Sequence, residues 1–189
     1  GGDYQGKGIV PTSEKTYFHS TAFVTADALT SGDGGKVILW ADDATYFYGG
    51  ISASGGLQSG NGGFVETSGK QYLDFGGRVD VAAYNGIGGT VLLDPVSITI
   101  LAGTDSNSTG FTAGSDIAEL FADDSAVVGT VLDPTATTGS FAGISAGSTI
   151  ILQATDFITV SDAFNLATAT GSANNNLVMQ AGGSININN

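Results

Sequence analysis

The chain has 189 residues, with 30 glycines, 18 acidic residues and only five basic ones, so its formal net charge is −13. Apolar residues make up 41 % of the chain, enough for a core, whereas disordered sequences combine low hydrophobicity with high charge. All five basic residues lie in the first 78 positions, and such an acidic surface repels nucleic acid and anionic membranes. The sequence has no cysteine, hence no disulfide or thiolate metal site, and no apolar run near the ~20 residues of a membrane span.

An internal repeat covers the first part of the chain. Gly-Gly pairs begin at positions 1, 34, 62 and 88, which gives intervals of 33, 28 and 26 residues. Aligning the segments that follow these pairs puts apolar residues at equivalent positions. The equivalent sets are Val37, Val65 and Val91; Leu39, Thr67 and Leu93; Phe47 and Phe75; and Ile51 and Val79.

The repeat predicts an all-β solenoid. Each unit contains short stretches of alternating apolar and polar residues, typical of strands, and glycine, asparagine or aspartate between them supplies corners. One turn cannot bury its own apolar face, but turns stacked about 4.8 Å apart can. We therefore expect a parallel β-helix of about seven coils with the equivalent residues as interior ladders. The alternative is an antiparallel sandwich of short strands, which has no reason to keep a 26–28-residue period.

The chain divides into three predicted segments. STIILQATDFITV and NNLVMQAGGSINI repeat at a spacing of 27 residues, so coils continue near the end. The stretch between is rich in turns and contains SDIAELFADD, which predicts a short helix over 115–122 capped by Ser115 or Asp116. Asp94–Pro95 and Asp133–Pro134 predict strand exits, because proline lacks an N–H. The segments are coils over 1–101, a helix-bearing insertion over 102–146, and further coils over 147–189.

Several strings resemble one protein family. GGDYQGKG, TADALTSGDGGKVILWAD, ISASGGLQSGNGGFVETSGK and GGTVLLDPVSITI, in this order, are similar to filamentous-haemagglutinin-type exoproteins of two-partner secretion. The resemblance is dense over 1–101 and weaker to the end. It implies a right-handed parallel β-helix, exported unfolded through an outer-membrane partner to the bacterial surface or the medium. The family's Asn-Pro-Asn secretion signature and a C-terminal effector domain are not seen, so we expect an internal segment.

No residue pattern favours catalysis or metal binding. Asp42–Asp43 and Asp123–Asp124 are adjacent acids, but neighbours on a strand point to opposite faces, which spoils them as a glycosidase pair. Asp33 is interpreted as a corner residue that bonds its own backbone rather than as a calcium ligand. His19 alone cannot make a zinc site. We therefore expect no enzyme, no cofactor and no metal.

An aromatic strip is the candidate contact surface. Alternation along the strand places these side chains opposite Phe47, on the outside if Phe47 is in the core. They either form an exposed strip that stacks on sugars or packs on a neighbouring chain, or are covered by the insertion. The residues are Trp40, Tyr46, Tyr48 and Tyr72.

The expected function is structural. A rigid solenoid that projects adhesive parts from the cell, in adhesion or biofilm, is the leading hypothesis. The alternative is an extracellular filament subunit that stacks end to end through open coils, and a polysaccharide-acting enzyme is less favoured. Expected partners are a second copy or the rest of a longer chain, the outer-membrane secretion partner, and host or matrix glycans. Nucleic acid and membrane insertion are not expected.

Overall fold

The computed structural model describes residues 2–103, 129–135 and 139–188. In these ranges the chain is all-β with mostly parallel strands, which stack into a β-solenoid of about five turns. The predicted solenoid is therefore confirmed. The sandwich is wrong, because every strand pair among the named strands is parallel.

The main sheet runs along the solenoid, and its strands come from successive turns. Its order is the order of the chain, as a solenoid requires. Its strands are β1 (Ser13–Phe18), β3 (Lys36–Phe47), β5 (Phe64–Gly69), β8 (Thr90–Leu93), β11 (Thr149–Ala154) and β13 (Asn176–Ala181). β6 (Tyr72–Phe75) also pairs with β3, whose twelve residues pair with β5 over Lys36–Ala41 and with β6 over Ala44–Phe47.

Two shorter sheets complete the turns. One holds β2 (Phe23–Thr25), β4 (Gly50–Ser52) and β7 (Arg78–Asp80). The other has the order β10 (Thr130–Leu132), β9 (Ile98–Ile100), β12 (Phe157–Val160) and β14 (Ser184–Ile187). The described residues also form a 3₁₀ turn at Tyr4–Gly6 and one α-helix, α1, at Leu166–Thr170.

The strand register confirms the alignment of the repeat. Cα partners across neighbouring turns include Val37 with Val65, Val65 with Val91, Leu39 with Thr67, Phe47 with Phe75, Ile51 with Val79, and Leu93 with Leu152. All of these apolar side chains belong to one core. Val37 and Leu39 are only partly buried, because β1 pairs with β3 from Ala41 onward and leaves the first half of β3 uncovered by that strand.

The Gly-Gly corners let successive turns approach closely. A Cβ atom on Gly62 would lie 1.8 Å from the carbonyl oxygen of Val81, and one on Gly63 would lie 2.1 Å from that of Gly35. Backbone carbonyls cannot yield as a flexible side chain can, so any larger residue there would push the turns apart. The glycine pairs therefore mark where one turn rests on the next.

The middle segment adds a strand to the solenoid. β8 pairs directly with β11, so no strand from the intervening residues separates these two in the main sheet, and the solenoid has about five turns instead of the seven expected. β10 pairs with β9 and reaches β6, where Gly129 N–H donates to Gln71 O at 3.1 Å and Leu73 N–H donates to Thr130 Oγ1 at 3.0 Å. The insertion was expected to pack against the solenoid, but its described part is paired into it.

Two predictions concern residues beyond the described ranges. The helix expected over 115–122 and the Asp123–Asp124 pair both lie outside them. The described helix, α1, was not predicted, although Asn165 caps its start and Gly171, with φ of 69°, ends it in the left-handed conformation. Five residues are too few to show a helical apolar period.

The predicted strand exits are confirmed. β8 ends at Leu93 and β10 ends at Leu132, each immediately before an Asp-Pro pair. Asp133 accepts from the N–H of Thr135 and of Gly103, at 2.9 and 3.1 Å, so its carboxylate organises the turn that follows β10.

Changing Val65 to Asp should place an unpaired charge between Val37 and Val91 in the interior. We expect the free energy of unfolding to fall by several kcal/mol, because a buried carboxylate without a partner is strongly disfavoured. Chemical denaturation measures the loss. Val178→Asp is the matched control, since Val178 lies on β13 but is exposed. Equal stability of the two variants would contradict the buried position of Val65.

Candidate functional site

The aromatic residues do not form a surface strip. Trp40, Tyr46 and Tyr72 are only 6 %, 1 % and 7 % exposed, and Tyr48 is partly buried. The expected alternation is correct, since Tyr46 and Tyr72 pack on each other with ring centroids 5.7 Å apart, in a cluster separate from the Phe47 core. Of the two alternatives, an exposed strip is therefore wrong for these three residues, and a covered outer face is correct.

Trp40 is covered by the N-terminal turn. A Cβ atom on Gly6 would lie 2.4 Å from the indole ring, so the backbone of Gly6 rests directly on that ring. The indole Nε1–H donates to Asp42 Oδ1 at 3.1 Å. Only a glycine brings the main chain this close to an aromatic face, and this makes the turn a specific cover.

The turn is tied to the solenoid by charge and ring contacts. Asp3 caps the turn by accepting from the N–H of Tyr4 at 2.7 Å, and its carboxylate lies 3.6 Å from Lys36 Nζ. The rings of Tyr4 and Phe64 meet edge to face at 5.8 Å. Lys36 Nζ lies 5.3 and 5.8 Å from the centroids of these two rings. The turn, β3 and β5 therefore meet around one ammonium group.

Glu66 lies buried beneath the turn. It sits on the outer side of β5, paired with Ile38 on one neighbouring strand and Leu92 on the other, so its row is otherwise apolar. The backbone N–H of Gln5 donates to both carboxylate oxygens at 3.1 Å. Burial raises the pKa of Glu66 to about 7, and the nearby charge of Asp94 adds to the rise.

Asp94 is a second carboxyl group with altered acidity. It follows β8 and is partly buried, and burial raises its pKa to about 6, opposed by the Gln5 side chain and by Lys7. A cleft of about 340 Å³ opens beside it. The lining residues are Gln5, Gly6, Lys7, Trp40, Asp42, Lys70, Asp94, Gln153, Ala154 and Thr155.

The Asp42–Asp43 pair is divided between two settings. The Thr12 hydroxyl and then the Trp40 indole donate to Asp42, and these bonds lower the pKa of its carboxyl. Asp43 lies 3.9 Å from Lys15. The two adjacent carboxylates thus have different partners, and the group that shares the cleft with Asp42 is Asp94.

Asp33 and His19 have local structural contacts. Asp33 was expected to bond its own backbone, but it accepts instead from the N–H of Asn61, one turn further, at 2.7 Å. The side chain of Asn61 in turn accepts from the N–H of Ile87 at 2.9 Å. Corner side chains therefore link successive turns. His19 is exposed and bonds Thr21 at 2.8 Å, and the described residues hold no cluster of three or more metal-binding side chains.

Sequence reasoning missed Glu66, Asp94 and Gln5 as partners. The signal for Glu66 was present in the repeat: its column contains Ile38 and Leu92, so an acid interrupts an apolar row. The signal for Gln5 was absent, because 61 residues separate it from Glu66 and it stands in none of the aligned columns.

No protein-family model matches this sequence, and no significantly similar curated protein is found. Over the part of the chain that the structure describes, no helix has both the length and the apolar character needed to cross a membrane.

The buried carboxyls should make stability depend on pH. Their pKa values, about 7 for Glu66 and about 6 for Asp94, lie above the ordinary values of 4.5 and 3.8, so the folded chain keeps these protons longer than the unfolded chain. The two protonated carboxyls therefore contribute fully to the free energy of unfolding below pH ~4, and this contribution is lost as the pH rises to ~7. We expect Glu66→Gln to be more stable than wild type at pH 8 by on the order of 2–3 kcal/mol, with little difference at pH 4.

Chemical denaturation across this pH range measures the effect. Glu14→Gln removes the same charge from an exposed position and should keep the wild-type slope. A Glu66→Gln variant whose stability follows the wild-type pH profile would show that Glu66 is not the group responsible.

Proposed function

We propose that this chain is an internal segment of a secreted bacterial surface protein of the filamentous-haemagglutinin type. In this role the solenoid is a rigid spacer that holds adhesive parts away from the cell. The supporting observation is the main sheet, in which six parallel strands follow one another in chain order from β1 to β13. Because each turn rests only on its neighbours, a solenoid extends along one axis and resists bending through its backbone ladders.

The proposal extends to handedness and partners. Parallel strands joined by a crossover are right-handed in about 98 % of cases, which supports a right-handed solenoid here. An outer-membrane secretion partner would export the chain, and host or matrix glycans are the proposed targets of the adhesive parts. The motif strings, from GGDYQGKG to GGTVLLDPVSITI, support the proposed assignment to the filamentous-haemagglutinin type.

Antibody labelling of intact producing cells tests the location. We expect an antibody raised against this chain to stain intact cells or to detect the protein in the medium. Staining that requires lysis of the cells would contradict the proposed surface role. A cytoplasmic protein of the same strain serves as the control for cell integrity.

A second candidate function is a filament subunit, favoured by the end formed by β13 and β14. Ile185 and Ile187 are 43 % and 65 % exposed, although Ile158 and Val160, their partners on β12, are buried. The interior rows therefore reach this end uncovered by any described residue. A second copy whose β1–β2 end continued the parallel register would cover them, in a head-to-tail contact of the kind that builds fibres.

Charge favours axial over lateral contact. The chain carries a net charge of −13, so the long sides of two copies repel each other at low salt. Axial stacking buries apolar rows and pairs strand edges in compensation. Salt shortens the Debye length to about 10 Å at 0.1 M, so association should strengthen as salt is added.

Light scattering of the isolated chain at rising salt and protein concentration tests the filament function. We expect growing particles that electron microscopy shows as axial fibres. Ile187→Asp should abolish them, because it puts a charge on the apolar end. Leu57→Asp is the matched control, since Leu57 is exposed and lies between β4 and β5, away from both end strands in sequence. A chain that stays monomeric at high salt would contradict the filament function and would leave the spacer function as the proposal.

A further inference from the structure

We infer that residues 2–8 form a pH-sensitive latch on the outer face of the solenoid. The latch is closed over Glu66 and Trp40 in acid and is released as the solution becomes alkaline. This device is independent of the proposed spacer role, because it depends only on contacts between the N-terminal turn and the main sheet.

The turn is closed by its own backbone hydrogen bonds. The N–H groups of Gly2, Gly6 and Lys7 donate to the carbonyls of Pro11, Asp3 and Tyr4, all within the first eleven residues. The N–H of Gln5 points the other way, to Glu66. Gln5 has φ of 55°, the left-handed region that disfavours a side chain, so the closed conformation is held by its contacts.

Glu66 is the group through which the latch senses pH. Its side chain is fully buried, and the N–H of Gln5 donates to both carboxylate oxygens, which offsets part of the lost hydration. The charged groups that face it are Asp94, at the end of β8, and Lys36, on β3. Lys36 is shared with Asp3, and Lys7 acts on Asp94, so neither ammonium is devoted to Glu66.

The direction follows from burial. Burial raises the pKa of Glu66 to about 7 and that of Asp94 to about 6, so both carboxyls gain charge beneath the turn between pH 5 and 8. Release of the turn gives these charges water, whereas protonation lets the turn close over neutral groups. The ratio of molecules with the latch released to molecules with the latch closed should therefore rise with pH, by up to roughly a hundredfold over this range.

Trp40 reports the state of the latch. It is the single tryptophan of the chain, and the backbone of Gly6 lies on its ring. Release would uncover the indole together with the apolar row that contains Ile38 and Leu92. Asp42, which accepts from the indole, has a lowered pKa and so keeps its charge throughout pH 5–8.5, which leaves Glu66 and Asp94 as the titrating neighbours.

Quenching of Trp40 fluorescence by acrylamide, a neutral quencher, tests the latch in the full chain. From pH 5 to pH 8.5 we expect the quenching constant of the wild type to rise several-fold. Glu66→Gln should show a clearly smaller rise, because only Asp94 then titrates beneath the turn, and Glu66→Gln combined with Asp94→Asn should stay poorly quenched at both pH values. The exposed-site control Glu14→Gln should behave as the wild type. Gly6→Ala should be strongly quenched at both, because its Cβ would lie 2.4 Å from the indole.

Two results would overturn the latch. One is quenching of the wild type that does not change with pH. The other is a Glu66→Gln variant that follows the wild-type profile. Far-ultraviolet circular dichroism of each sample monitors the solenoid. If its strand signal were lost as quenching rose, the chain would be unfolding rather than releasing the latch, and this would also overturn the inference.

Discussion

The approach of backbone to backbone at the Gly-Gly corners is the constraint on which the structure depends. At Gly63 a single added carbon would lie 2.1 Å from the carbonyl of Gly35 in the preceding turn, so no side chain fits between the turns. Turns held at this distance pair their strands in parallel and bring equivalent residues into line. The buried ladder through Val65, the polar links from Asp33 and the direct pairing of β8 with β11 all follow from that spacing.

The same register that stacks the core also creates the unusual feature of the outer face. The register stacks the residues that occupy equivalent positions in successive turns. In one such row, Glu66 lies between Ile38 and Leu92. A carboxyl group in that position loses hydration and needs a donor, which Gln5 provides from a separate turn. A rigid scaffold and one titratable contact on its side are therefore consequences of one stacking rule, and the proposed spacer and latch use different parts of it.

The middle of the chain shows where periodicity stops predicting. The break at residue 102 is visible in the sequence, but the return of β10 to pair with β9 is not. Although β10 comes later in the chain than β9, it pairs with β9 on one side. On its other side, Gly129 and Thr130 bond to Gln71 and Leu73, at the start of β6. Three residues carry no period of their own, so only the sheet to which they add identifies them as part of the solenoid.

By itself, the sequence determined the solenoid, the register of its turns, the interior ladders and the strand exits before proline. Each of these features depends on the repeat or on neighbouring residues, so it can be predicted from the spacing of residues such as Val37, Val65 and Val91. Only the tertiary structure decided which outward side chains are covered, because cover comes from segments remote in sequence. Trp40 has the alternation of a surface residue, yet Gly6 lies on its ring, and Glu66 is buried by a turn 61 residues away.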